Sequence, residues 1–440
     1  MNWKKILGII GLIIPMLLIT GWVFSPRITG FNPNQPLHGR QPIQITFSRS
    51  MDAESVERHL SIQPGQEGDF QWNESQKSLT FTPRDAWPSD RSLSVRISAG
   101  PRSTQRLPLL NPKTWQFEIS PYLLTYLYPA DGKSNIYSMN VESGENQPLT
   151  EHLGGVLDYD VSPDGLTLYY SRGREDGSSG LFALDRQSGE IQEILTCPEA
   201  LCRNPQVSLG GDLIAYQRIP QNPQNNPGIY LLEITSQDTE PLLETGHHLE
   251  NPSWSPQGWL AFYNRSERAY QFIHLPDKEM VTFPNDTGGQ GTWAPDGVNF
   301  VTTEILDINE SLAPRHLFRY QIPNGSKTDL TNDRFWEDAT PSYSPEGRLA
   351  FGRKSLLREK WSLGRQLWIL EKGGGEAYPV TNAGDYHHTA FAWHPDGDQM
   401  AYVRYNQARL TEAPEIWLLN LTQSQNARLI INAFNPQWIP

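Results

Sequence analysis

The sequence predicts an all-β protein: a small β-sandwich followed by a seven-bladed β-propeller, behind one N-terminal transmembrane helix. Three observations lead there. An uncharged apolar run opens the chain. Strand-like alternation between turn residues fills the stretch after it. A turn tetrapeptide then recurs at near-regular spacing to the end. Gly 35, Pro 35 and an aromatic content of 11% fit many short strands joined by turns rather than long helices.

Residues 6–24, ILGIIGLIIPMLLITGWVF, carry no charge. As a helix they span roughly 28 Å, close to the hydrocarbon thickness of a bilayer. Lys4 and Lys5 precede the run and should stay cytoplasmic, which puts the body of the chain outside. Trp22 stands at the far end, where an interfacial aromatic is expected, and Pro15 is tolerable in a lipid-spanning helix. A cleaved signal peptide is the competing reading, but the run is long and no A-x-A site follows it. Residues 1–26 are therefore expected to be a cytoplasmic tip and an uncleaved signal anchor, with the membrane contacted through residues 6–24. The body is expected in the periplasm or extracellular space.

Residues 27–120 contain PIQITFSRSMD (42–52), LSIQP (60–64), GDFQWNESQKSLTFTP (68–83), SLSVRISAG (92–100) and TWQFEIS (114–120). Apolar and polar residues alternate, and turn residues separate the runs, as a sandwich requires. Met51–Asp52 reads as a turn pair after a strand and Trp72 as a core aromatic. The order ITFSRSMD, IQP, F-x-W, LTFTP, SVRISAG resembles the bacterial Ig-like domain of S-layer and other cell-surface proteins. That resemblance implies a spacer or adhesion module without catalysis.

From residue 121 onward a tetrapeptide recurs: SPDG (162–165), SLGG (208–211), SPQG (255–258), APDG (294–297), SPEG (344–347) and HPDG (394–397). The spacings are 46, 47, 39, 50 and 50 residues. A strand precedes each copy, often ending in an aromatic as in NPSW (251–254), and three more strands follow. Four strands per 40–50 residues is the signature of a propeller blade. Pro presets φ, the acidic residue bonds local amides and Gly takes positive φ, so Asp164, Asp296 and Asp396 read as turn formers. LLTYLYPADGKSNIYSMNVESGENQPLT (123–150) lacks a first strand, and the C-terminal FNPQWIP (434–440) is a first strand with nothing after it. Together they make one more blade, closing a ring of seven over residues 121–440.

The (S/A/H)-P-(D/E)-G turns, the preceding N-P-x-W strands and the later I-Y or I-W strands resemble the TolB-type propeller, a relative of WD-type propellers. The resemblance implies fold more than function. TolB is a periplasmic partner-binding protein; the Ig-like front domain and a count of seven blades rather than six set this chain apart.

The net charge of −13 is unevenly spread. Residues 27–120 hold 11 basic and 9 acidic side chains, leaving 23 and 40 in residues 121–440, a net of −17. Such a body repels phosphate backbones and argues against nucleic acid as a partner. Cys197 and Cys202 are too few for a structural zinc site but could close a small loop in an oxidising compartment.

The tetrapeptide turns share one face with the turns between strands three and four. The opposite face carries longer loops at 171–180, 218–228, 302–316, 352–366 and 404–414, and is the candidate binding surface. Inter-blade loops on that face are expected to present His247, His248, Trp336, Glu337, Asp338, Asp385, Tyr386, His387 and His388 near the channel mouth. Arg353, Lys354, Arg358, Lys360 and Arg365 form a basic loop on an acidic body. The plain alternative is that all of these are ordinary solvated loop residues.

No nucleophile motif such as G-x-S-x-G occurs, and no hydrolase domain follows the propeller. The expectation is a binding or scaffolding protein for an envelope protein or glycan, with no catalytic residue, no cofactor and no metal. The alternative is a propeller enzyme, such as a lactonase or a metal-dependent polysaccharide lyase. Some TolB-like seven-bladed propellers resemble lyases with channel histidines, and His247, His248, His387 and His388 could supply imidazoles.

Overall fold

The computed structural model describes residues 25–32, 37, 39–84, 87, 92–306 and 314–439. No helix among them is long and apolar enough to cross a membrane, and the anchor expected at residues 6–24 lies outside them. The chain divides into two compact units, one ending at Pro121 and one running from Tyr122 to Ile439.

The first unit pairs a four-stranded sheet with a three-stranded one. The four-stranded sheet runs in the order Ile28–Asn32, Ile43–Phe47, Ser78–Pro83, Gly68–Trp72. The other runs Leu60–Gln63, Leu93–Ile97, Lys113–Phe117. Alternation decides which side chains go inside: Ile43, Ile45 and Phe47 are buried while Gln44 faces out. Ile45 and Phe47 pack with Leu79, Val56 and Ile97, and Ile43 with Phe81, Leu93 and Val95. Met51–Asp52 differs from the turn pair expected. Met51 is buried in the core, and the Asp52 carboxylate accepts from Ser55 N at 3.0 Å, capping a short helix, Ala53–Glu57. Trp72 packs against the core and donates its indole N–H to Glu57 at 2.9 Å.

The second unit is propeller-like and consists of seven antiparallel four-stranded sheets. Sheet 1 contains Leu123–Tyr128, Asn135–Met139, Asn146–Pro148 and the last strand, Phe434–Ile439. Sheets 2 to 7 follow in chain order, their first strands being Val156–Val161, Ala200–Val207, Leu249–Trp254, Thr292–Trp293, Trp336–Tyr343 and Tyr386–Trp393. In each the strands pair in sequence order, so first strands lie along one edge. Aromatic and branched side chains fill the space between neighbouring sheets, as with Phe272 and Tyr270 of sheet 4 against Phe300 and Tyr320 of sheet 5.

First strands share a distortion. Asn204, Asn251, Thr340, Ala390 and Asn435 have φ between +48° and +58°, each inside a register shift against the second strand. These are β-bulges: one extra residue goes unpaired and the strand bends. Asn tolerates this conformation, whereas Thr340 and Ala390 hold it only because the surrounding sheet enforces it. From several first strands a Trp reaches sideways, just past the bulge except at Trp293. Trp254 donates to Gln206 O at 3.0 Å, Trp293 to Ser253 O at 3.0 Å, Trp393 to Ser342 O at 3.0 Å and Trp438 to Ala392 O at 3.1 Å. Each joins one first strand to the first strand of another sheet. In sheet 2 the Asp160 carboxylate, which accepts from Val207 N at 2.8 Å, does the equivalent work. Burial pushes that carboxyl up to about 6.

Candidate functional site

The tetrapeptide turns are built as their residues dictate. Gly165, Gly211, Gly258, Gly297, Gly347 and Gly397 all have φ between +70° and +93°. Asp164 accepts from Leu166 N at 3.0 Å and Asp296 from Val298 N at 3.0 Å, closing the turns locally. Antiparallel order then puts the loops between second and third strands, and those between sheets, at the other end.

The candidate residues at that end sit differently from the loop placement expected. Trp336, Glu337 and Asp338 begin the first strand of sheet 6, and Tyr386, His387 and His388 begin that of sheet 7. They belong to strands because pairing runs further than the polar composition suggests: Trp336 pairs with Ser355, and Tyr386 with Asn406. Arg353 and Lys354 are likewise in a strand, Leu349–Ser355, while Arg358 and Lys360 lie in the loop on a 3-10 turn and Arg365 ends that loop, just before the strand Gln366–Leu370.

Burial follows from this. Asp338 is wholly buried, and Arg353 donates to it twice, Nε to Oδ1 at 2.6 Å and Nη2 to Oδ2 at 2.9 Å. The Arg353 guanidinium lies 5.3 Å from the Trp336 ring and 5.2 Å from the Trp368 ring. Burial pushes the Asp338 carboxyl above its ordinary value, with Arg353 pulling against it. On the other side of the sheet, Glu337 meets Arg365, and Lys354 at 3.4 Å. Burial would raise Glu337, but these two cations hold it below the usual carboxylate range. Three of the five basic residues picked out by sequence are thus neutralised in place.

The histidines are structural too. His388 Nδ1 donates to Arg365 O at 2.9 Å, and His387 Nδ1 accepts from Arg365 N at 3.3 Å. Burial pushes both imidazoles down to about 4, so both are neutral at physiological pH. Tyr386 lies under Arg404, whose guanidinium is 4.0 Å from its ring, and Asp385 O accepts from Gln407 N at 2.8 Å. His247 and His248 lie before the first strand of sheet 4, with Glu267 and Glu250 each 3.7 Å away. The structure brings Glu337, Lys354, Arg365 and His387 together and leaves the His247–His248 pair on another sheet. Among the described residues no group of three or more His, Cys, Asp or Glu could hold a metal ion. Cys197 and Cys202 are bonded to each other, with Cα atoms 6.1 Å apart.

Two of the cavities among the described residues of this unit involve first strands. One, of about 500 Å³, lies on sheet 6 and is lined by Trp336, Trp368, Arg353, Lys354, Lys360 and Gln366 among others. Another of about 500 Å³ is lined by first-strand residues of several sheets, with Asn204, Gln206, Asn435 and Gln437 beside an Asp158–Arg203 ion pair at 2.8 Å. Sequence reasoning passed over these amides and Trp368. The repeated NPQ at 204–206 and 435–437 was the available signal for the amides; for Trp368 there was none beyond its strand.

With this geometry in view, the family comparisons are specific. Residues 25–119 match the model described as a bacterial Ig-like domain, and residues 122–279 match the TolB beta propeller domain. The chain thus carries a bacterial Ig-like domain followed by a TolB-like β-propeller domain. Among solved structures, TolB from Acinetobacter baumannii is 11% identical to this TolB-like chain, covering 87% of it and 83% of its own length, with a TM-score of 0.46. An oligogalacturonate lyase in complex with manganese is 14% identical, covering 81% and 96%, with a TM-score of 0.52. The β-propeller domain of the Trilobed protease from Pyrococcus furiosus is 11% identical, covering 78% and 95%, with a TM-score of 0.50. Likeness at such identities speaks for fold alone. Among curated proteins there is no match.

Proposed function

We propose that this TolB-like chain is a non-catalytic binding or scaffolding protein of the cell envelope. Its sheets act as seven blades of a ring closed by the last strand, the Ig-like domain serves as a spacer, and residues 6–24 hold it in the membrane with the body outside. The working surface is the end that carries the loops between second and third strands and between sheets. One contrast supports this most directly. Many of the titratable groups at that end are spent on internal ion pairs and hydrogen bonds, as in Asp338–Arg353, while apolar side chains stand exposed beside them: Leu153, Leu306, Phe335, Trp361, Leu363 and Leu410. Exposed aromatic and aliphatic groups next to Arg and Lys are the composition of a protein-binding surface.

Two measurements test the reading. Immunoblotting of membrane and soluble extracytoplasmic fractions should find the full-length chain in the membrane; a shortened soluble species contradicts the anchor. Affinity capture with the detergent-solubilised full chain should enrich an envelope protein or glycan. Charge-reversed loops on the tetrapeptide end should leave that capture intact, and loss of capture there instead contradicts the choice of face.

A further inference from the structure

The loop between the second and third strands of sheet 6, residues 356–365, is held at several points. Leu356 N donates to Phe335 O at 2.8 Å, Lys360 N to Leu357 O at 3.1 Å and Gly364 N to Gly384 O at 3.0 Å. Trp361 bridges to Ser355, and Ser362 Oγ donates to Gly364 O at 2.8 Å. Gly364 lies so close to the Tyr386 backbone that a Cβ there would collide with it. The loop is therefore fixed before any ligand arrives, which lowers the ordering cost of binding.

What this fixed loop displays is unusual for an acidic chain. Trp361 is 54% exposed, with Phe335 at 39% and Leu363 at 37% beside it. Arg358 and Lys360 stand on the turn just before Trp361, are exposed, and have no ion-pair partner among the described residues. Behind them opens the cavity of about 500 Å³, walled by Trp336 and Trp368. Arg353 spends Nε and Nη2 on Asp338, and its Nη1 has no hydrogen-bond partner among the described residues. Arg353 keeps one donor edge in a cavity that Lys360 also lines, and exposed Arg358 stands on the same 3-10 turn, with Glu359 between the two cations; the excess of donors suits a carboxylate. The apolar side chains beside them call for a ligand with its own apolar groups. That favours a polypeptide over a hydroxylated polymer.

We propose that the sheet 6 cavity and the 356–365 loop bind an acidic segment of a partner protein, one carboxylate reaching Arg353 Nη1 and an aromatic or aliphatic side chain packing on Trp361. This rests on the reading of the chain as a binding module and names the place and chemistry within it.

The test is selection of a displayed library of random dodecapeptides on the immobilised, detergent-solubilised full chain. Selected peptides should combine Asp or Glu with an aromatic or aliphatic anchor and should bind more weakly as salt rises. Arg358→Glu with Lys360→Glu, and separately Trp361→Ala, should weaken them roughly tenfold while leaving the melting temperature unchanged. Selection without an acidic consensus, or peptides indifferent to these variants, overturns the proposal. So does polygalacturonate binding that these variants abolish while no peptide binds, which points to an anionic glycan. Self-association of the full chain that the same variants remove overturns it in favour of a second copy. Peptides that cross-link through a photoreactive residue at Leu410 but not at Trp361 would sink this site and leave the binding-module reading standing. An empty selection together with empty capture from envelopes sinks both.

Discussion

Trp438 donates its indole N–H to the carbonyl of Ala392 at 3.1 Å, one residue before the last described residue, Ile439. The last strand is gripped on its other flank as well: Tyr159 donates its hydroxyl to Asn435 O at 2.8 Å, and the Gln437 side chain donates to Tyr159 O at 3.1 Å. It also pairs with Leu123–Tyr128 in sheet 1. Trp438→Phe keeps the ring and removes one hydrogen bond, so equilibrium denaturation should show a loss of about 1 kcal/mol. Trp438→Ala should cost about 3 kcal/mol. Removing residues 432–440 exposes the edge of Leu123–Tyr128 and should lower the melting temperature and promote association. Unchanged melting would contradict a closing role for the strand.

The Asp338–Arg353 pair should behave as a buried ion pair. Asp338→Ala leaves the guanidinium unpaired among Trp336, Phe351 and Trp368, and urea denaturation should register a loss of about 3–5 kcal/mol. Asp338→Ala combined with Arg353→Met should recover much of it, since a buried pair replaced by apolar groups of similar size is often near neutral. A double variant as unstable as the single one would mean the pair has another role.

Stability should fall with acid through the histidines. Burial holds the folded-state value of His388 at about 4, below the 6.5 of an unperturbed histidine. As pH drops through 6.5 the unfolded chain takes up the proton first. The stabilising contribution is therefore complete above 6.5 and lost as pH falls towards 4, by about 3 kcal/mol at most. Arg404 beside the ring reinforces the direction. Asp160, raised to about 6, acts oppositely over the same interval, so comparison with His388→Gln is needed to isolate the effect. That variant should show a shallower loss between pH 7 and 4 when denaturation midpoints are measured across the range.

The Cys197–Cys202 bond closes a loop with a sequence separation of 5. Loop-closure entropy for so short a loop corresponds to about 2 kcal/mol. Denaturation with and without reductant should differ by that amount in the native protein. The Cys197→Ser, Cys202→Ser variant should show no such difference.

Some of this was legible because it is local. Strand alternation set Ile43, Ile45 and Phe47 inward whatever they would meet. The Gly of each tetrapeptide took positive φ because only neighbouring residues decide that conformation. The Ig-like and TolB-like resemblances rest on the same short patterns. The candidate site was less legible. Polar runs such as WED and DYHH read as loops, whereas pairing with Ser355 and Asn406 drew most of their residues into strands. Their burial depends on which sheet faces them, and no period in the sequence encodes that.

The sequence by itself determined the all-β class, the turns and the strand order within each repeat, since each depends on residues a few positions apart. Tertiary structure alone decided that Trp438 would find Ala392 across 46 residues, that Arg353 would spend its charge on Asp338, and that Trp361 would be left in water. Those outcomes turn on desolvation and on contacts between sheets, which exist only once the sheets have met.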